Sequence, residues 1–162
     1  MTDEGFPPPV KPIEWAKYNQ LIDEQYDVFC QDFIFGTVIF AGKPITIKPQ
    51  PTTDKKEDCF WHVVTREFKP GAGREADGQR AARVHWLRPI IENFENSIVT
   101  YFVSPSAKDR PRHYFWLKED TYLLIIEEAP KRFYIVTAYM VDKKYMKEDL
   151  EKKFNSYRSS QK

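Results

Sequence analysis

The fold is decided by residues 98–141, IVTYFVSPSAKDRPRHYFWLKEDTYLLIIEEAPKRFYIVTAYMV. Four runs within it, 98–103, 113–118, 121–128 and 133–141, are dense in β-branched and aromatic side chains. The links at 119–120 and 129–132 are too short for a crossover, so neighbouring strands have to run antiparallel. This predicts a meander of about four strands.

The flanking segments read as helices and a hairpin. Downstream, Tyr145, Met146, Leu150, Phe154 and Tyr157 recur at three to four residues in a charged stretch, predicting a helix over 143–158 and a tail at 159–162. Upstream, 80–95 is helical in its second half, with Pro89 in the first turn, where a missing N–H costs nothing. Residues 69–79 hold three of the six glycines and read as a mobile loop. Residues 59–68, CFWHVVTREF, fit either a strand or a short helix. Residues 33–48 read as a β-hairpin turning near 41–44, starting from Phe33, Ile34 and Phe35. Ile13, Trp15, Tyr18, Leu21, Ile22, Tyr26, Phe29 and Cys30 mark an amphipathic helix over 13–30, with Trp15 and Tyr18 assigned to the core. Residues 1–12 are a Pro-rich, flexible or extended lead-in. The expected architecture is α+β, a single domain over 13–158 with helices on one face of an antiparallel sheet.

Composition narrows the function. Over 162 residues, 25 Lys and Arg balance 24 Asp and Glu to a net charge of +1, against a uniformly basic nucleic-acid binder. A hydrophobic share of 41% excludes an acidic disordered chain. The balance is segregated: residues 1–35 carry two bases and seven acids (net −5), and 59–88 six bases and three acids (net +3). Two cysteines, Cys30 and Cys59, cannot build a disulfide scaffold or a four-thiolate zinc site. The start has no signal-peptide pattern, and no apolar run reaches the roughly 18 residues of a membrane helix. A cytoplasmic protein with free thiols and no membrane partner is expected.

No phosphate-binding loop, dinucleotide fingerprint, HExxH or GxSxG is present, so no cofactor and no metal are expected. What remains is a set of His, Arg, Thr and Tyr suited to phosphate chemistry. His62 and Arg66 would share a helix face, being four apart. Arg80, Arg83 and Arg88 flank His85. Thr137 and Tyr139 point to one side of a strand. Arg forks match phosphate oxygens, and His exchanges protons near neutral pH. Each residue has a plain structural reading as well: His62 as a packed histidine, His85 as a cap beside Trp86, and the arginines as a solvated face.

The segments 60–65 (FWHVVT), Arg80-x-x-Arg83-x-x-Trp86-x-x-Pro89-Ile90-Ile91-Glu92-Asn93 and 133–139 (FYIVTAY) resemble the phage-associated branch of the barnase–EndoU–colicin–RelE-like nucleases over 58–142. That resemblance implies a small antiparallel sheet carrying a metal-independent ribonuclease site. Carried over by position, His62 is the acid or base, Arg83 (or Arg80) the phosphate ligand, and Thr137 and Tyr139 the hydroxyl-bearing residues. Arg66, Arg80, His85 and Arg88 become substrate-binding candidates. The implied partners are RNA and, in the toxin members, a cognate inhibitor protein. Two other readings stay open: a catalytically inert RNA- or protein-binding module on the same fold, and an interaction protein of a phage or plasmid.

Overall fold

The computed structural model describes residues 6–67, 73–105 and 110–161. Residues 1–5 of the lead-in, 69–72 of the glycine-rich loop and 162 of the tail lie outside the described residues. The chain is α+β. Among the described residues its five α-helices are α1 (Tyr18–Cys30), α2 (Asp58–Val64), α3 (Gly78–Ala81), α4 (Leu87–Glu92) and α5 (Lys144–Ser160). The strands are β1 (Val38–Phe40), β2 (Lys43–Thr46), β3 (Thr52–Thr53), β4 (Lys56–Glu57), β5 (Thr65–Arg66), β6 (Glu75–Ala76), β7 (Thr100–Ser104), β8 (Arg112–Leu117), β9 (Tyr122–Glu128) and β10 (Phe133–Met140). Six of them form one sheet in the order β1-β2-β10-β9-β8-β7, antiparallel except for the parallel pair β2 and β10. The pairs β3–β4 and β5–β6 are separate two-residue ribbons.

The sheet curls back on itself. From β1 to β7 is five strand steps, about 24 Å if flat. Yet the Phe40 ring of β1 lies 5.8 Å from Tyr101 on β7 and 5.3 Å from Phe115 on β8, centroid to centroid. Only a strongly coiled sheet brings its edges within reach of one side chain.

Helices cover both faces, not one. One core joins α1, α2 and α4 to the inner face through Phe29, Phe60, Leu87, Ile90, Phe115, Leu124 and Phe133. A second core on the other face holds Phe102, Tyr114, Trp116, Leu123 and Ile125 under Leu150 of α5. The sign was in the sequence: Tyr122 to Ile126 is an unbroken apolar run, and all five residues are buried. A strand with only one covered face would alternate.

Three local expectations are corrected. Residues Gln31–Phe35 form a π-helical turn continuing α1 instead of opening a strand, because Phe33 extends the buried stripe of Ile22 and Phe29. Strand β1 therefore starts only at Val38, and Ala41 and Gly42, both at positive φ (50° and 79°), turn the chain into β2. Trp15 stays 65% exposed, stacked on half-buried Tyr18 at 5.0 Å. It lies on a 3₁₀ turn (Trp15–Lys17) that breaks the helical phase before α1. The C-terminal helix runs to Ser160, two residues into the expected tail.

Gly36 ends the π-helical turn by close approach. A Cβ there would lie 2.5 Å from the Gln31 carbonyl oxygen, an atom held by the Gly36 N–H at 3.0 Å. Gly36→Ala is expected to lower stability by about 1–3 kcal/mol, seen as a lower urea midpoint with unchanged slope. An unchanged midpoint would mean that this turn shifts freely.

Candidate active site

Strand β10 pairs with β2 through Phe133 and Tyr134 alone. Past Thr46 the chain leaves the sheet, and α2 comes to lie beside the vacated edge. There the Cys59 thiol donates to the Ile135 carbonyl at 3.5 Å, and the Thr137 hydroxyl to the His62 carbonyl at 3.3 Å. A register shift between Ile135 and Thr137 bends the strand at the same place. A cleft of about 690 Å³ opens between the diverging segments.

His62, Arg80, Thr137 and Tyr139 all line this cleft. A helix places Phe60, Val63 and Val64 fully buried, which turns Asp58 and His62 outward together. Four apart on one helix, they meet with Nε2 of His62 3.2 Å from a carboxylate oxygen of Asp58. The His62 side chain is 39% exposed, open to a substrate. Asp58 was missed in the sequence because the helix and strand readings of this segment were equally open; only a helix makes the i, i+4 spacing meaningful.

The positive charges are unequal in availability. Arg80 donates to the His62 carbonyl at 3.1 Å and the Thr65 carbonyl at 2.6 Å, has Asp77 3.4 Å from its Nε, and lies 5.5 Å from the Tyr139 ring centroid. Arg74 donates to the Thr65 hydroxyl and carbonyl at 2.8 and 2.6 Å. Arg112 sits 3.7 Å from Glu127. Lys48 is held over the Tyr134 ring at 4.9 Å, and among the described residues no carboxylate pairs with its ammonium. Lys48 and Arg74 have no signal in the sequence, since each sits in a loop outside the periodic segments. Burial pushes the Tyr139 hydroxyl up to about 12, with Tyr114 adding to the shift, so it keeps its proton at neutral pH. Burial also pushes the Cys59 thiol up to about 12, which removes it as a nucleophile.

The remaining candidates do not line the cleft. Arg83 donates twice to Gln79, to backbone and side-chain oxygens at 2.9 Å each, and its guanidinium packs 5.1 Å from Trp86. Arg88 is engaged by Asp32 and Glu92. Arg66 shares no helix face with His62, because α2 ends at Val64 and Arg66 falls in the β5–β6 ribbon, beside a neighbouring groove. His85 is structural. The Gln25 amide donates to its Nδ1 at 2.9 Å and to the Ala81 carbonyl at 2.9 Å, so His85 Nε2 keeps the hydrogen and donates to the Pro9 carbonyl at 2.8 Å. That contact and the Lys11 N–H to Ala82 carbonyl bond dock the described part of the lead-in.

His113 is buried in a second polar network. Tyr101 Oη lies 2.6 Å from its Nδ1 and Glu128 2.8 Å from its Nε2, while Lys43 donates to Glu128 at 2.6 Å. Desolvation lowers the pKa of both His85 and His113 below the ordinary 6.5, partly offset by Pro9 and by Glu128 respectively. Below 6.5 the unfolded chain therefore takes up protons that the folded protein refuses, and stability falls with pH in that window. The urea midpoint is expected to drop between pH 7.5 and 5.5, and to drop less in His85→Gln. A flat profile would contradict the neutral, buried state of both rings.

Among the described residues, no group of three or more His, Cys, Asp or Glu is placed to hold a metal ion, and no helix is long and apolar enough to cross a membrane. Comparison with protein-family models, curated proteins and solved structures returns no match.

Proposed function

We propose that the protein is a metal-independent endoribonuclease. One observation carries this reading: a half-exposed His62, faced by Asp58, opens onto the same cleft as Lys48, Arg80 and the protonated hydroxyl of Tyr139. The resemblance to the barnase–EndoU–colicin–RelE-like nucleases adds support, as does the mostly antiparallel sheet beneath the site.

The Asp58 carboxylate draws the Nε2–H of His62, leaving Nδ1 as the proton acceptor. Nδ1 takes the proton of a ribose 2′-OH. The oxygen attacks the adjacent phosphorus, forming the O2′–P bond as the P–O5′ bond breaks. Tyr139 gives its proton to the departing O5′, leaving a 2′,3′-cyclic phosphate and a 5′-hydroxyl. Lys48 offsets the charge gathering on the phosphate oxygens. Arg80 holds the end of α2 by its carbonyls and the Tyr139 ring by its guanidinium, and Thr137 holds the His62 backbone. Both are positioning residues in this scheme. The partner is RNA, and the resemblance adds a cognate inhibitor protein.

A second reading is favoured by one fact: Arg74 and Arg80 are engaged by backbone carbonyls, which suits an inert RNA-binding module on the same fold. End-labelled RNA incubated with the purified protein in EDTA separates the two. Cyclic phosphate termini mark the nuclease. Binding with intact RNA across varied sequences marks the module.

A further inference from the structure

The cleft does not stop at Arg80. Arg80 and Glu67 also line a second groove of about 340 Å³, whose other walls include Met140, Tyr145 and Met146. The two spaces are therefore contiguous at Arg80. Tyr145, the second residue of α5, is 68% exposed. It differs from the two tyrosines of the cleft: Tyr134 carries Lys48 against its ring, and Tyr139 carries Arg80. The Tyr145 ring is instead left largely open to solvent.

We propose that this groove is a subsite for a nucleobase of single-stranded RNA next to the cleaved phosphate, with the base stacking on Tyr145. The assignment rests on the ribonuclease reading of the adjoining cleft. A flat, exposed aromatic ring in a groove that adjoins a cleft lined by Lys48, Arg74, Arg80 and Arg112, one cation more than its carboxylates Asp58, Glu67 and Glu127, is an arrangement by which single strands are held, since every base has a face to stack. Met140 and Met146 give the groove apolar, adaptable walls that suit a base edge more than a phosphate. Acidic Glu67, Asp77 and Asp142 beside Arg66, Arg80 and Lys143 leave no excess positive charge there, which places the backbone in the cleft and the base in the groove. A duplex cannot use the subsite, because its bases are already stacked and paired.

The test uses a fluorescein-labelled, single-stranded RNA of about ten nucleotides, methylated at every 2′-oxygen so that it cannot be cleaved, read by anisotropy. Tyr145→Ala is expected to weaken binding about tenfold, Tyr145→Phe to leave it within about twofold, and the corresponding duplex to bind all three proteins equally poorly. Because Tyr145 is exposed, the thermal midpoint should stay unchanged in both variants. Equal affinity of wild type and Tyr145→Ala, or no binding by wild type, overturns the assignment. Cleavage of unmodified RNA is followed in parallel. Binding that depends on Tyr145 without cleavage by any protein supports the subsite and removes the nuclease. His62-dependent cleavage with unchanged Tyr145→Ala binding does the reverse.

Discussion

His62→Ala is expected to lower the rate of RNA cleavage in EDTA by about 10²–10⁴-fold, the range for removing a positioned general base. The loss should fall on turnover, since the imidazole acts on the reacting 2′-OH while Lys48 and the groove hold the rest of the strand. The side chain is 39% exposed, and its backbone carbonyl, which receives Thr137 and Arg80, is untouched by the substitution. The thermal midpoint should therefore stay close to wild type, which separates a chemical loss from a structural one. Asp58→Asn keeps the volume but no longer fixes which ring nitrogen carries the hydrogen, so its rate should lie between wild type and His62→Ala. Tyr139→Phe keeps the ring under Arg80 and removes the proton offered to the leaving oxygen, so it should slow cleavage with little change in affinity. Undiminished cleavage by His62→Ala, with the same cyclic phosphate ends, removes His62 from the mechanism.

The largest expected effect on stability comes from Phe40→Ala, a loss of about 3–5 kcal/mol. Phe40 belongs to a three-residue strand at the edge of the sheet, where backbone pairing alone is weak. It is 5% exposed, and its ring meets Phe94, Tyr101, Phe115 and Phe133 edge-to-face at 5.0–5.8 Å. Such aromatic pairs contribute about 0.5–1.5 kcal/mol beyond their buried area. Removing the ring empties the place where the two edges of the curled sheet meet, and Tyr101, Phe115 and Phe133 sit on strands that cannot all move inward. Against a total stability of about 5–15 kcal/mol, the loss should be plain in urea unfolding. Phe40→Leu, which keeps most of the volume, should lose less than half as much. A Phe40→Ala cost below about 1 kcal/mol would mean that the ring does not hold the sheet closed.

Much of the frame is legible in the residues because local periodicity is strong there. The β-rich runs of 98–141 become β7 to β10, with boundaries close to those expected. Pro89 sits in the first turn of α4. The segment 31–35 misleads, because its aromatic and β-branched composition matches a strand while the continuing 3.6-residue stripe, ending on Phe33, prevails by burial. The covering of both sheet faces is legible in the run from Tyr122 to Ile126, which does not alternate.

The site is less legible. His62, Arg80, Thr137 and Tyr139 are named by residue type and order along the chain, and they do share one cleft. Asp58 and Lys48 are not, since a carboxylate before a helix and a lysine after a strand look like ordinary surface charge until the fold sets them beside His62 and Tyr134. Arg83, His85 and Arg88 have the right chemistry and the wrong neighbours: Gln79, the Pro9 carbonyl and Asp32 take up their donors first.

By itself, the sequence determined the α+β class, the order of the main strands and helices and the set of residue types able to work on a phosphate, because these follow from hydrophobic period, turn chemistry and side-chain pKa, all local properties. Only the tertiary structure decided how tightly the sheet curls, that β2 and β10 part after two residues to open a cleft, and which cations are already committed to carbonyls and carboxylates. Those outcomes depend on contacts between residues far apart in the chain, such as Thr137 with His62 or Phe40 with Tyr101, whose energies no local pattern encodes.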